Sequence, residues 1–528
     1  MDALAWLGIA ASSGAAAAAV VARDARLRAA AMLLALTLAP VLVAGDVWDT
    51  ERFRELRESS AQVVAAGGVA LVGVSALAML IHRLPLALPL LAIGLLAFRI
   101  PVELGGETSN LLIPLYLVIA AGAVASAVAA FRPGGEDEQA AGMVRATESR
   151  VGRAVDLASR ALPWLLSGFL VLYALQSAYS TDLSKATETV AFFLVPFAVL
   201  FALLLEVRWT PRLLAAVFVL VLAEALLLVA VGFGQYAIRD LFWNPSVIAG
   251  NEVHTYFRVN SVFWDPNVFG RYLVLAVLVA AAYMVWTRRS GRAIAVAIAC
   301  LVLIAGLTLA YSQSSVVALL AGLVVLIAPR WGTRWALAAG AAAAMAAIAM
   351  ILFSGVEPTS ERSLDVRSSG RVTLVRGGLE LAGDRPAFGY GSASFQEEFS
   401  ERYLGVDEPA GAAISHSEPV TVAAEQGAVG LLLYGALVLS GLVALLGAAR
   451  GIPAARTALV ACFVAMIAHS LAYAGFLTDP ATWALLGLGL ALARAPIPSP
   501  VAAPAERAVT ERTPSARPSL ASPGSPGS

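Results

Sequence analysis

The chain has 528 residues, of which 59% are hydrophobic and 14% charged, and its mean hydropathy is +0.79. Soluble domains carry about 25% charged and about 45–50% apolar residues, so this composition rules out a disordered chain and argues strongly against a soluble globular one. Lysine plus arginine and aspartate plus glutamate balance at 36 each, leaving no basic field to hold a nucleic acid.

Taken in chain order, apolar runs long enough to cross a bilayer as helices recur from end to end. They fall at 3–22, 28–45, 61–81, 84–98, 110–131, 161–178, 188–206, 213–234, 267–286, 292–311, 314–329, 335–354, 420–447, 457–476 and 479–494. The expected fold class is therefore an all-α, polytopic transmembrane bundle of about 14–15 spans, the short run at 84–98 being the marginal one. The first run is followed by Arg23, Arg26 and Arg28 and lacks a small-residue cleavage site after a basic start, so it reads as a retained helix and not a signal peptide.

Arginines fall on alternate connections, at Arg23 and Arg26, Arg83, Arg145 to Arg160, Arg208 and Arg212, Arg288 to Arg292, Arg330 and Arg334, and Arg450 and Arg456. The positive-inside rule puts these connections and the C-terminus in the cytoplasm. Arg52, Arg54 and Arg57 run against the pattern. The reading divides the chain into N-terminal helices (1–131), a cytoplasmic loop (132–160), a transmembrane core (161–354), a large extracytoplasmic loop (355–418), C-terminal helices (419–494) and a disordered tail (495–528). The GGEDEQ stretch at 134–139 and the Pro/Ser/Ala-rich tail read as solvated segments without a core to pack.

The loop at 355–418 is the one extramembrane piece large enough to fold over the bundle. Within it, Arg371, Leu374 and Gly378 recur at helical spacing before the breaker GDRP, which predicts an interfacial amphipathic helix followed by a Gly-rich turn, FGYGSASF at 388–395. Arg371 and Arg376 then stand where phosphates lie. At 414–438 the string ISHSEPVTVAAEQGAVGLLLYGALV sets His416 before a membrane helix, where an imidazole can take a proton from a hydroxyl, with Glu418 or Glu425 to orient it. Cys300 and Cys462 sit in apolar runs and read as inert buried thiols. With four scattered histidines and no HExxH, Walker or GxGxxG context, no cofactor or metal is expected. Glu206 is expected to pair with Arg208, Glu224 lies mid-span, His469 reads as a helix-contact residue, and His254, in the outward loop, as lining the acceptor path.

Gly370-Arg371, DRPAFGYGSASF at 384–395 and SHSEPVTVAAEQGAVGLLLYG at 415–435 together resemble the signature of the O-antigen ligase and O-antigen polymerase superfamily. Upstream, YFRVNSVFWDPNVFGRYL at 256–273 resembles a further family segment that carries Arg258, Asp265, Pro266 and Asn267. The resemblance covers roughly residues 160–490. Two positions depart from it: YSQSS at 311–315 puts Gln313 where family members often have an arginine, and Ser417 follows His416 where asparagine is usual.

The resemblance implies a metal-independent, inverting, glycosyltransferase-like enzyme of the bacterial cytoplasmic membrane, acting in cell-surface polysaccharide biosynthesis without a cofactor. It would move a glycan from a polyprenyl-diphosphate carrier to a hydroxyl of a glycan or lipid acceptor at the outer face, among membrane lipids. His416 and Arg371 would be catalytic, with Arg258, Arg376, Asn267, Arg271 and Glu425 binding substrate. The alternative is a transporter or flippase of an envelope precursor, but no internal repeat is evident and the charged residues gather at one face.

Overall fold

The computed structural model describes residues 2–48, 50, 54, 60–104, 107–132, 150–253, 256–332, 334, 338, 371–403, 415–449 and 451–495. The apolar run at 335–354, Arg362, Arg367, His254, the 134–139 stretch and the tail beyond 495 lie outside the described residues, with only the isolated position 338 of that run among them.

Helices dominate. The N-terminal part comprises α1 (Asp2–Val21), α2 (Ala25–Asp46), α3 (Ser60–Arg83), α4 (Ala87–Gly94) and α5 (Ile113–Ala130). There follow α6 (Arg150–Gln176), α7 (Leu183–Glu206), α8 (Pro211–Ile238), α9 (Pro245–Val253), α10 (Pro266–Trp286), α11 (Ser290–Leu309) and α12 (Gln313–Trp331). Beyond the gap come α13 (Arg371–Asp384), α14 (Phe395–Tyr403), α15 (Glu418–Leu446), α16 (Pro453–Ser470) and α17 (Pro480–Arg494). Among the described residues, ten helices are long and apolar enough to cross a membrane: α1, α2, α5, α6, α7, α8, α10, α11, α15 and α16. The protein is thus an all-α polytopic membrane protein.

The helices begin where the sequence supplies caps. Asp24, Thr210, Asp265, Ser312 and Asp479 each accept a backbone N–H from the first turn of the helix that follows. Proline in the first turn of α8, α10, α15, α16 and α17 removes a donor that has no acceptor there.

One expected span is corrected. The run at 84–98 forms only the eight-residue α4, on the order of 12 Å long at about 1.5 Å per residue, far short of a bilayer core of about 30 Å. The chain then turns through an antiparallel hairpin, β1 (Ile100–Leu104) with β2 (Glu107–Leu111). Arg99, at the mouth of the hairpin, lies 3.9 Å from Asp479. Helix α6 starts at Arg150, which narrows the connection after α5 to 131–149.

Two apolar cores lie side by side. One gathers α1, α2, α5, α6, α7, α15 and α17, with Phe197, Phe201 and Trp483 fully buried. The other is built around α10, with α8, α11, α12 and α16 packed on it. Helix α16 touches both α10 and α15, so it links the segments that carry the candidate residues. Cys300 and Cys462 are both buried free thiols. Glu206 pairs with Arg28 instead of Arg208, which joins α7 to α2.

Candidate functional site

The Gly-rich turn after α13 is stitched to a break in α15. Gly427 has φ 64° and ψ −161°, a non-helical conformation inside an otherwise continuous helix, and an added Cβ would collide with the backbone at Ala387. The carbonyls and the amide freed by the break find partners in the turn. Tyr390 N donates to Ala424 O at 3.0 Å, Gly391 N to Glu425 O at 2.8 Å, and Ala428 N to Pro386 O at 2.8 Å. The Glu425 carboxylate accepts from Ala393 N at 2.9 Å and Phe395 N at 3.3 Å. Gln176 of α6 donates to Phe388 O and Gln426 O, fixing both strands of the stitch to the bundle. Helix α13 packs through Leu374, Gly378 and Leu381 against Val420 and Phe395, so its first residue is held beside the start of α15.

That placement brings Arg371 and His416 to one cavity of about 590 Å³, lined also by Arg376, Glu380, Leu471 and Ala472. Arg371 Nε is buried and has no hydrogen-bond partner among the described residues. Burial, and next the charge of Arg258, hold the Arg371 pKa below the ordinary arginine value. The charges of Arg258 and Arg371 act on one another, with the Asp265 carboxylate also in electrostatic reach, and two guanidinium groups so placed favour an anion. Arg258 is fixed from both ends: its backbone exchanges hydrogen bonds with the Asn251 side chain, Nε donates to Ala310 O at 3.2 Å, and Nη2 donates to Asn267 Oδ1 at 3.4 Å. Arg376 forms an exposed i,i+4 pair with Glu380 at 3.2 Å on the cavity rim.

A residue that the sequence reading passed over joins these parts. The Tyr473 ring stands edge-on to both His416 and His469, with centroid separations of 5.7 Å in each case. Its hydroxyl hydrogen-bonds Asp265, the N-cap of α10. Burial, then the Asp265 charge, raises its pKa above the usual phenol value, so Tyr473 stays a neutral hydroxyl. Tyr473 follows His469 by one helical turn, the one signal in the sequence that the two share a face.

The loop carrying Tyr473 is pinned at several points. The Glu418 carboxylate accepts from Gly475 N at 2.7 Å and Phe476 N at 3.1 Å. Arg271 pairs with Asp479 at 2.5 Å and donates to Gly475 O at 3.4 Å. His469 Nε2 lies 3.2 Å and 3.3 Å from the hydroxyls of Ser314 and Ser315, as befits a helix-contact residue. The YSQSS segment thus contributes its serines inward, while Gln313 is exposed.

Of the residues expected at the site, Arg371, Arg376 and His416 share the cavity, and Arg258 and Asn267 form a bonded pair whose charge reaches Arg371. Arg271 is committed to Asp479, and Glu425 to the Gly-rich turn. Glu418 and Glu425 therefore bond to backbone amides, where the sequence suggested an orienting role toward His416. Ser417 occupies the N-cap position of α15 without a side-chain capping bond.

A second cavity, about 430 Å³ and almost wholly apolar, has Arg99, Arg271 and Asp479 at one end and extends between α8, α10, α16 and α17 to Pro211 and Ala454. Among the described residues no group of three or more His, Cys, Asp or Glu side chains is arranged to hold a metal ion.

Residues 298–435 match the family model described as O-antigen ligase. No curated protein matches the chain. The matched stretch contains Arg371, the stitched Gly-rich turn and His416, while Arg258, His469 and Tyr473 lie outside it and are brought to it by the fold. With its arginine and histidine on one cavity of a polytopic helical bundle, the stretch 298–435 is similar to the O-antigen ligase family.

Proposed function

We propose that this protein transfers a glycan from a polyprenyl-diphosphate carrier to an acceptor hydroxyl at the outer face of the bacterial cytoplasmic membrane. The observation that carries this reading is the buried Arg371 Nε, without a hydrogen-bond partner among the described residues and within reach of the Arg258 charge, on a cavity that His416 also lines.

In this reading the diphosphate sits against Arg371 and Arg258, with Arg376 at the rim. The acceptor oxygen attacks the anomeric carbon as the bond from that carbon to the diphosphate oxygen breaks. The proton of the acceptor passes to His416, the carrier leaves as its diphosphate with its negative charge met by the guanidiniums, and the anomeric configuration inverts. The two arginines supply the positive charge that a divalent cation would otherwise bring. Asn267 steadies Arg258, and Tyr473 gives the imidazole of His416 an aromatic edge to rest on. The apolar cavity ending at Arg271 and Arg99 suits a prenyl chain.

The test is complementation of a deletion strain with wild type, His416→Ala and Arg371→Ala, reading lipid-linked precursor, its membrane side, and polymer length on gels. Loss of polymer with precursor accumulating on the outer leaflet in both variants supports transfer. Precursor retained on the inner leaflet would move the flippase reading to the front, and normal glycans in both variants would sink the assignment. Single-repeat products from an otherwise active pathway would mark a polymerase.

A further inference from the structure

A third cavity, of about 420 Å³, is separate from both those described above and is lined by Arg239, Asp240, Asn251, Glu252, Tyr256 and Phe257 together with two aliphatic residues. We propose that it is a saccharide-binding subsite, taking sugar residues of the donor glycan that lie away from the diphosphate. The proposal rests on the transfer reading above and goes beyond it in naming where the glycan is recognised.

The chemistry of the hollow matches a sugar ring. A pyranose presents an apolar C–H face and a rim of hydroxyls that both donate and accept. Tyr256 offers a ring that is 39% exposed, stacked at 4.6 Å and 24° on Tyr311, itself 46% exposed. An exposed pair of stacked tyrosines is a large apolar surface with polar tips, the kind of platform on which a C–H face lies. The carboxylates of Asp240 and Glu252 accept from hydroxyl pairs, while Arg239 donates. Arg239 is also pre-set, its guanidinium lying 4.2 Å over the Tyr236 ring and 5.3 Å from that of Phe257.

Charge argues against an anion as the occupant. The lining holds two carboxylates and one guanidinium, so a phosphate or an anionic headgroup meets net repulsion there, whereas an uncharged polyol does not. Two residues at the hollow have a left-handed backbone, Arg239 in its lining with φ 58° and Tyr311 beneath Tyr256 with φ 48°, conformations that persist in non-glycine residues where surrounding structure enforces them.

The hollow also adjoins Arg258 through backbone contacts. Asn251, one of its walls, exchanges two hydrogen bonds with the Arg258 backbone at 2.9 and 3.0 Å. Tyr311, under Tyr256, directly follows Ala310, whose carbonyl accepts from Arg258 Nε at 3.2 Å. A glycan whose diphosphate meets Arg258 therefore has a wall of this hollow, Asn251, bonded directly to the residue that holds its diphosphate.

The test uses the full chain in lipid nanodiscs with two donors on the same polyprenyl diphosphate, one bearing a single sugar and the other a multi-sugar repeat. Tyr256→Ala and, as a conservative second variant, Glu252→Gln are each expected to raise KM for the multi-sugar donor about tenfold and to leave the single-sugar donor unchanged. An equal rise for both donors, or no change in either, overturns the subsite. Binding of the free, diphosphate-less oligosaccharide, followed by saturation-transfer NMR, is expected to survive Arg371→Ala and to be lost in Tyr256→Ala. If wild type transfers neither donor yet binds the oligosaccharide in this Tyr256-dependent way, the transfer reading falls and the subsite stands. If it transfers both and shows no such binding, the subsite falls alone.

Discussion

Glu418 holds Gly475: its carboxylate accepts the Gly475 N–H at 2.7 Å and the neighbouring Phe476 N–H at 3.1 Å, tying the loop after α16 to the first residue of α15. His416 precedes that residue by two positions and Tyr473 precedes Gly475 by two, so one carboxylate sets the distance between the two rings. Glu418→Ala leaves both amides without their acceptor, at about 1–3 kcal/mol for each group. The expected result is a lower Tm together with reduced transfer, measured by thermal unfolding in detergent alongside the complementation assay. An unchanged Tm would remove the tether from the account.

Arg371→Lys keeps the charge and loses the planar fork. A bidentate contact to a diphosphate then becomes a point contact, and transfer is expected to fall about 10- to 100-fold, a loss of about 1.4–2.7 kcal/mol in the barrier. Because Arg371 Nε has no partner among the described residues, folding has little to lose. Steady-state rates and Tm on the same preparations check both halves, and a large Tm drop at full per-molecule rate would contradict them.

Arg271→Met is expected to behave in the opposite way. Its partner Asp479 is buried, and the other cation near it, Arg99, lies at 3.9 Å. Removing one member of a buried ion pair costs about 3–5 kcal/mol because the remaining charge loses its partner. A fall in Tm should therefore accompany any fall in activity. Intact stability with a selective rise in donor KM would instead assign Arg271 to the diphosphate.

Gly427→Ala and Gly435→Ala separate backbone geometry from helix propensity within one helix. Gly427 sits at φ 64° against the Ala387 backbone, whereas a Cβ at Gly435 meets nothing within 4 Å. The first substitution adds strain of about 1–3 kcal/mol and a clash, and should lower the yield of folded protein. The second should be neutral or raise stability by up to about 1 kcal/mol. Expression level and Tm of the pair give the comparison, and equal behaviour would mean that the stitch does not depend on the glycine.

The sequence by itself determined the membrane class, most of the spans and the two residues on the central cavity. Runs of apolar residues carry their own free energy of insertion, and Arg371 and His416 sit in local strings whose spacing is visible without a fold. The run at 84–98, marginal by length, is left open by the same local logic; it forms an eight-residue helix followed by a hairpin, beside which Arg99 meets Asp479, 380 positions away. Tertiary structure alone decided what surrounds the cavity. Tyr473 reaches Asp265, Glu418 reaches Gly475, and Ser314 and Ser315 reach His469 across separations that no periodicity encodes. It also decided that Glu425 spends both carboxylate oxygens on the Gly-rich turn, since the buried amides of Ala393 and Phe395, at the turn and the start of α14, need an acceptor that only the fold brings to them.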